Sequence, residues 1–232
     1  MSWMAKTRPS GPSSVGGASP KPGPAASAKP SASLRISNGL KEFLWLISDV
    51  PHGRILDLGP VWQSTVSFFV DKGYRVSAED LLRTWRDFLT AEEEHLRTAP
   101  IAEDNGKISP SLLVDKFLET ALQYPEQSFH GVLVWDLLDY FDPAVVPVLM
   151  KRLSNILHPG GAVLALFHSR PAERFRRYRI VDSQTVELLS APTIAVHAHV
   201  FQNREILSLF DQFRSSKTFV GRDQVREGLF LK

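Results

Sequence analysis

The 232-residue chain contains no cysteine, which excludes a disulfide scaffold, a thiol nucleophile and any cysteine-held zinc or iron–sulfur centre. No apolar run approaches the ~18–20 residues that a membrane-spanning helix needs, so no membrane span is expected. Acid is missing from residues 1–36, which carry Lys6, Arg8, Lys21, Lys29 and Arg35 among abundant Pro, Gly, Ser and Ala. Such a segment buries too little apolar surface to offset the entropy of ordering it. Residues 1–36 are therefore expected to form a disordered basic tail. Its five charges are sparse, and Trp3 is its one aromatic. That is poor equipment for stacking bases, so a solubilising extension is the simpler reading and nucleic acid is not an expected partner. The tail also lacks the apolar stretch of a secretory signal, and the expectation is a cytoplasmic protein.

What remains is ordinary globular material. Residues 37–232 hold 22 basic and 25 acidic residues, so the tail supplies the positive balance of the whole chain. Leu40, Phe43, Leu44 and Ile47 recur at helical spacing, which predicts a helix over about 38–49. Arg54–Gly59 reads as a short strand ending in glycine, Ser64–Lys72 as a helix, and Tyr74–Ala78 as a second strand. A charged helix is expected over Leu81–Ala99, then a polar connection over 100–110. A further helix from Ser111 would run into a weak strand near Leu118–Leu122. Gly131–Trp135 reads as a buried strand. Asp142-Pro143 reads as a cap followed by a first-turn proline, opening a helix to about Leu157. Ala162–Phe167 is another apolar strand. Strands near Arg177–Asp182 and Thr185–Leu189, a helix from Asn203 to about Phe213, and a last strand near Glu227–Leu231 complete the pattern. Apolar strands alternating with helices predict an α/β domain over 37–232. Its core would be a Rossmann-like, mostly parallel sheet of about seven strands flanked by helices.

In such sheets ligands bind beyond the carboxyl ends of the strands, so the residues that end strands carry the information. They are Asp57-Leu58-Gly59-Pro60, Glu79-Asp80 and Trp135-Asp136. A glycine there lets backbone approach a ligand closely, with a helix N-terminus just beyond. Asp80 lies 21 residues past Gly59, the spacing at which an acid accepts hydrogen bonds from ribose hydroxyls.

These segments resemble the class I S-adenosylmethionine-dependent methyltransferases. Ile55–Gly59 is similar to the family's first motif. Tyr74–Leu81 is similar to the second strand with its ribose-binding acid, matched by Asp80 with Glu79 beside it. Ser128–Tyr140 resembles the fourth-strand segment, Leu157–Leu164 the turn into strand five, and Arg226–Lys232 the final strand. The resemblance spans about residues 40–232. It implies S-adenosylmethionine as cofactor, held by Asp57, Gly59, Pro60, Glu79, Asp80 and Trp135, and a small-molecule methyl acceptor. Asp136, Asp139 and Tyr140 fall where the family's substrate cleft opens and are the candidates for a base.

The glycine loop departs from the family pattern. After Gly59 the run is Pro60-Val61-Trp62-Gln63, with Val61 and Gln63 where further glycines are usual, and Glu119 is the nearest match to the acid that contacts the adenine. The alternative is accordingly a non-catalytic methyltransferase-like module that binds or regulates a partner. A nicotinamide-dependent oxidoreductase would share the strand–glycine–helix logic but is disfavoured by the same missing glycines. Arg170, Arg174, Arg176, Arg177 and Arg179 form a basic run suited to an anionic ligand or, more simply, to pairing with local acids. His197 and His199 would share one face of a strand. With no third ligand nearby in sequence, no metal site is expected, and His168 is as readily a surface residue.

Overall fold

The computed structural model describes residues 32–98, 109–221 and 223–232. A six-stranded sheet runs in the order β3-β2-β4-β5-β9-β8 and a separate three-stranded sheet in the order β1-β7-β6. Their strands are β1 (Ala32–Ile36), β2 (Arg54–Asp57), β3 (Arg75–Ala78), β4 (Phe129–Trp135), β5 (Leu157–His168), β6 (Arg176–Ile180), β7 (Thr185–Ser190), β8 (Ser215–Val220) and β9 (Val225–Leu231). The helices are α1 (Asn38–Ile47), α2 (Gln63–Val70), α3 (Leu81–Thr98), α4 (Pro110–Leu118), α5 (Val146–Ile156) and α6 (Asn203–Leu209). No helix among the described residues is long and apolar enough to cross a membrane.

Strands β3, β2, β4 and β5 are parallel, whereas β9 runs antiparallel between β5 and β8. The near-continuous apolar runs of β4 and β5 follow from burial on both faces. Side chains alternate across the sheet. Val132, Val134, Val163, Ala165 and Phe167 join the core under α3, α4, α5 and α6. Leu133, Trp135, Ala162, Leu164 and Leu166 join a second core under α1, α2, β6 and β7. Gly131 is the one position of β4 where Phe43 of α1 comes too close for a side chain, since a Cβ there would lie 2.5 Å from the Phe43 ring.

Several expectations change in the folded chain. Residues 32–36, placed in the tail, form β1 and pair antiparallel with β7; residues 1–31 and most of the polar connection lie outside the described residues. The strand expected near 118–122 is absent. Leu122 instead has φ +53, and its carbonyl accepts from Arg152 Nε at 3.1 Å and Nη2 at 2.6 Å. Asp142 does not cap a helix: it closes a turn by accepting from the Ala144 amide at 2.8 Å, and α5 starts later with Pro147 in its first turn. The hairpin β6–β7 does not extend the main sheet. It joins β1 instead, and the Ile180 amide donates to Thr65 Oγ1 at 3.0 Å, fastening β6 to α2.

Candidate active site

The first strand-end loop is organised by the chain's own groups. Asp57 ends β2, and its Oδ1 accepts from the Gly59 amide at 2.9 Å and from Trp135 Nε1 at 2.6 Å. Burial drives the Asp57 carboxyl up to about 6; the bonds from Gly59 and Trp135 oppose the shift, and the Asp80 charge adds to it. A Cβ at position 59 would stand 2.9 Å from Trp135 Nε1, so glycine is required there by the indole. Val61 is 67% exposed.

The two acids after β3 separate in role. Glu79 accepts from the Leu122 amide at 3.1 Å and from Tyr124 Oη at 3.2 Å, which makes it an anchor for the turn after α4. Asp80 is met by Arg177 of β6 through both terminal guanidinium nitrogens, each at 3.0 Å. This fork geometry is the strongest way for an arginine to hold a carboxylate. Beside it Tyr178 lies parallel to Trp135, with centroids 5.5 Å apart and 4° between the rings. Trp135 itself ends β4 with φ +54, a region that bulky residues rarely occupy. The cavity left between Leu58, Gly59, Pro60, Trp135, Asp136 and Tyr178 measures about 20 Å³, room for roughly one water.

Next to this loop the carboxyl ends of β4 and β5 bring together acids and imidazoles. A short 3-10 turn, Leu137–Tyr140, follows Asp136. Asp136 accepts from Tyr178 Oη at 2.8 Å, and burial raises its carboxyl to about 6 although His168 and Tyr178 pull it down. Asp139, fully buried, accepts at Oδ2 from the His168 amide at 2.7 Å and stands 2.9 Å from His168 Nδ1. Burial disfavours the charged form of His168, but Asp139 and Asp136 outweigh it and raise its proton affinity. The Asp139 carbonyl accepts from the Ala198 and His199 amides at 2.8 and 3.1 Å, which pins the loop after β7 and brings His197 Nε2 to 3.6 Å from Asp139 Oδ2. Burial raises the Tyr140 hydroxyl, as do the charges of Asp136 and Asp139, so it stays protonated near neutral pH. Asp139 Oδ1, Tyr140 Oη and His197 Nε2 are buried without a hydrogen-bond partner among the described residues.

The fold thus gathers Asp57, Gly59, Pro60, Asp80, Trp135, Asp136, Asp139 and Tyr140 at one end of the sheet. Glu79 is turned to a structural task, and Glu119 is exposed at the end of α4. His197 and His199 lie in irregular chain rather than on a strand, and His199 pairs with Glu205 at 3.0 Å. His168, as readily taken for a surface residue, is buried at the end of β5, where its strand-end position was the available signal; Arg177 of the basic run pairs with an acid, but with the distant Asp80 rather than a local one. Of the basic run, Arg177 meets Asp80 and Arg179 meets Glu187, while Arg170, Arg174 and Arg176 border a pocket of about 80 Å³ beside His168.

No family model matches the chain, and no curated protein matches it. Among solved structures it is similar to the Burkholderia thailandensis 1,6-didemethyltoxoflavin-N1-methyltransferase with bound 1,6-didemethyltoxoflavin and S-adenosylhomocysteine. The identity is 15%, covering 84% of this chain and 76% of that one, with a TM-score of 0.44. The glycopeptide N-methyltransferase MtfA complexed with S-adenosylmethionine is 16% identical over 84% and 94% of the two chains, with a TM-score of 0.39. A SAM-dependent methyltransferase from Aquifex aeolicus is 9% identical over 82% and 88%, with a TM-score of 0.41. Likeness at this level carries neither ligand nor chemistry across. On the strand order β3-β2-β4-β5-β9-β8, with β9 reversed, the chain has a Rossmann-like α/β fold.

Proposed function

We propose that this chain is an S-adenosylmethionine-dependent methyltransferase acting on a small-molecule acceptor. One observation supports the reading above others. The residues of the cofactor motif, Asp57, Gly59 and Asp80, and the buried cluster of Asp136, Asp139 and His168 converge beyond the carboxyl ends of the same parallel strands, where ligands bind in open α/β sheets. Buried ionisable groups with shifted proton affinities cost stability and gather at functional sites.

The donor set suits the cofactor: Asp80 for the ribose hydroxyls, and the Gly59-Pro60 backbone for the methionine part. The space suits it only once β6 withdraws, because Arg177 holds Asp80 and Tyr178 fills the gap next to Trp135. When bound, the sulfonium supplies an activated methyl group. The protein's share is then binding and orientation, with Asp136, in the wall of the cavity beside Gly59, the candidate to meet the acceptor. A non-catalytic module is the second reading, favoured by the same Arg177–Asp80 pair and Trp135–Tyr178 stack.

Calorimetric titration of the full chain with S-adenosylmethionine, and separately with S-adenosylhomocysteine, decides between them. Micromolar binding of either, about −8 kcal/mol, is expected for the enzyme. Silence at millimolar ligand would move the assignment to the non-catalytic module.

A further inference from the structure

We propose that Asp139, His168 and His197 form a binding site for one divalent first-row transition-metal ion. The ligating atoms of the three residues lie within 4.8 Å of one another, and the three side chains are at most 9% exposed. The ends of β4 and β5 position the first two, while the bonds from the Ala198 and His199 amides to the Asp139 carbonyl position the third.

Hydrogen bonding alone does not account for the arrangement. His197 Nε2 stands 3.6 Å from Asp139 Oδ2, too far for a hydrogen bond, and it has no other partner among the described residues. Asp139 Oδ1 is likewise buried and unpartnered. Both are polar atoms, and burying such atoms without a partner costs free energy. Ligands that share a tetrahedral ion at about 2.0–2.1 Å stand about 3.3–3.4 Å apart; the separations of 2.9 Å for His168 Nδ1 and 3.6 Å for His197 Nε2 from Asp139 Oδ2 bracket that value.

Two imidazoles and one carboxylate select zinc, iron, cobalt or nickel over magnesium or calcium, and three protein ligands leave a coordination position open. Asp136 Oδ2, itself held by Tyr178 Oη, stands 3.7 Å from His168 Nε2, the ring nitrogen not turned to Asp139, too far for a hydrogen bond but close enough for its charge to act on the ring. His168 also stands in the wall of a pocket of about 80 Å³. This inference is independent of cofactor binding.

The test uses the full chain without an affinity tag, stripped with chelator and titrated with Co²⁺ or Zn²⁺ alone. One ion per chain, with micromolar or tighter affinity, a visible Co²⁺ ligand-field spectrum and a raised Tm, is the expected result. His197→Gln, in irregular chain outside the sheets, should weaken binding at least about tenfold while leaving the metal-free circular dichroism spectrum unchanged; His199→Gln should leave binding intact. Substoichiometric binding at ~100 µM free metal, or undiminished affinity in both His197→Gln and His168→Gln, would overturn the site and leave an ordered water as its filler.

Discussion

At the scale of single residues, Asp57 shows how a site can hold an ionisable group at a cost. Its carboxyl is raised to about 6 from 3.8, chiefly by burial. The folded chain therefore binds that proton more tightly than the unfolded chain does. Stability from this group is fully present below about pH 4 and is lost as pH rises to about 6; the loss is of the order of 3 kcal/mol. Asp57→Asn keeps an oxygen for the Gly59 amide and the Trp135 indole and removes the charge. Its Tm should exceed that of the parent at pH 7.5, and the gain should shrink towards zero at pH 4, as thermal melts at both pH values would show. A gain that does not vary with pH would mean that the Asp57 carboxyl binds its proton equally tightly in the folded and unfolded chain. The strand-end positions of Asp57, Gly59 and Asp80 were legible in the sequence because each follows a short apolar run. Arg177 was not, because nothing local says that an arginine 97 positions away will reach Asp80.

The hairpin β6–β7 is the element that covers the strand-end loops, through Arg177 on Asp80 and Tyr178 on Trp135. Its strands were visible as alternating segments, but their membership of a second sheet depends on pairing with β1, which composition had assigned to the tail. The edge strand β8 was invisible for a related reason: Ser215, Ser216, Lys217 and Thr218 are exposed, so no apolar alternation marks it, although a lysine suits an edge that must not recruit another chain. Arg177→Ala removes a charge-assisted fork on Asp80, worth about 1.5–3 kcal/mol per hydrogen bond to a charged group before discounting for partial exposure. If Asp80 takes the ribose, the variant should bind S-adenosylhomocysteine about tenfold more tightly, measured by calorimetry. Equal affinity in variant and parent would separate Asp80 from the ligand.

At the scale of the molecule, two cores share one sheet, and that much was readable from the apolar runs of β4 and β5, since only burial on both faces allows them. Phe230 of β9 ties the antiparallel end into the larger core, with its ring stacked on Phe210 at a centroid distance of 3.4 Å. Phe230→Ala should lower unfolding free energy by about 3–5 kcal/mol, read from denaturant midpoints at unchanged m. A drop below 1 kcal/mol would mean that the β9 end is not part of the same cooperative unit. The sheet also fixes where β6 can rest: with Thr65 of α2 on one side and Trp135 on the other, it bridges the two strand-end loops. Because the Trp135 indole is pressed between the Gly59 turn and the Tyr178 ring, β6 cannot leave Asp80 without uncovering it to water. Any withdrawal of β6 is therefore expected to shift the emission of Trp135, one of two buried tryptophans among the described residues, to longer wavelength.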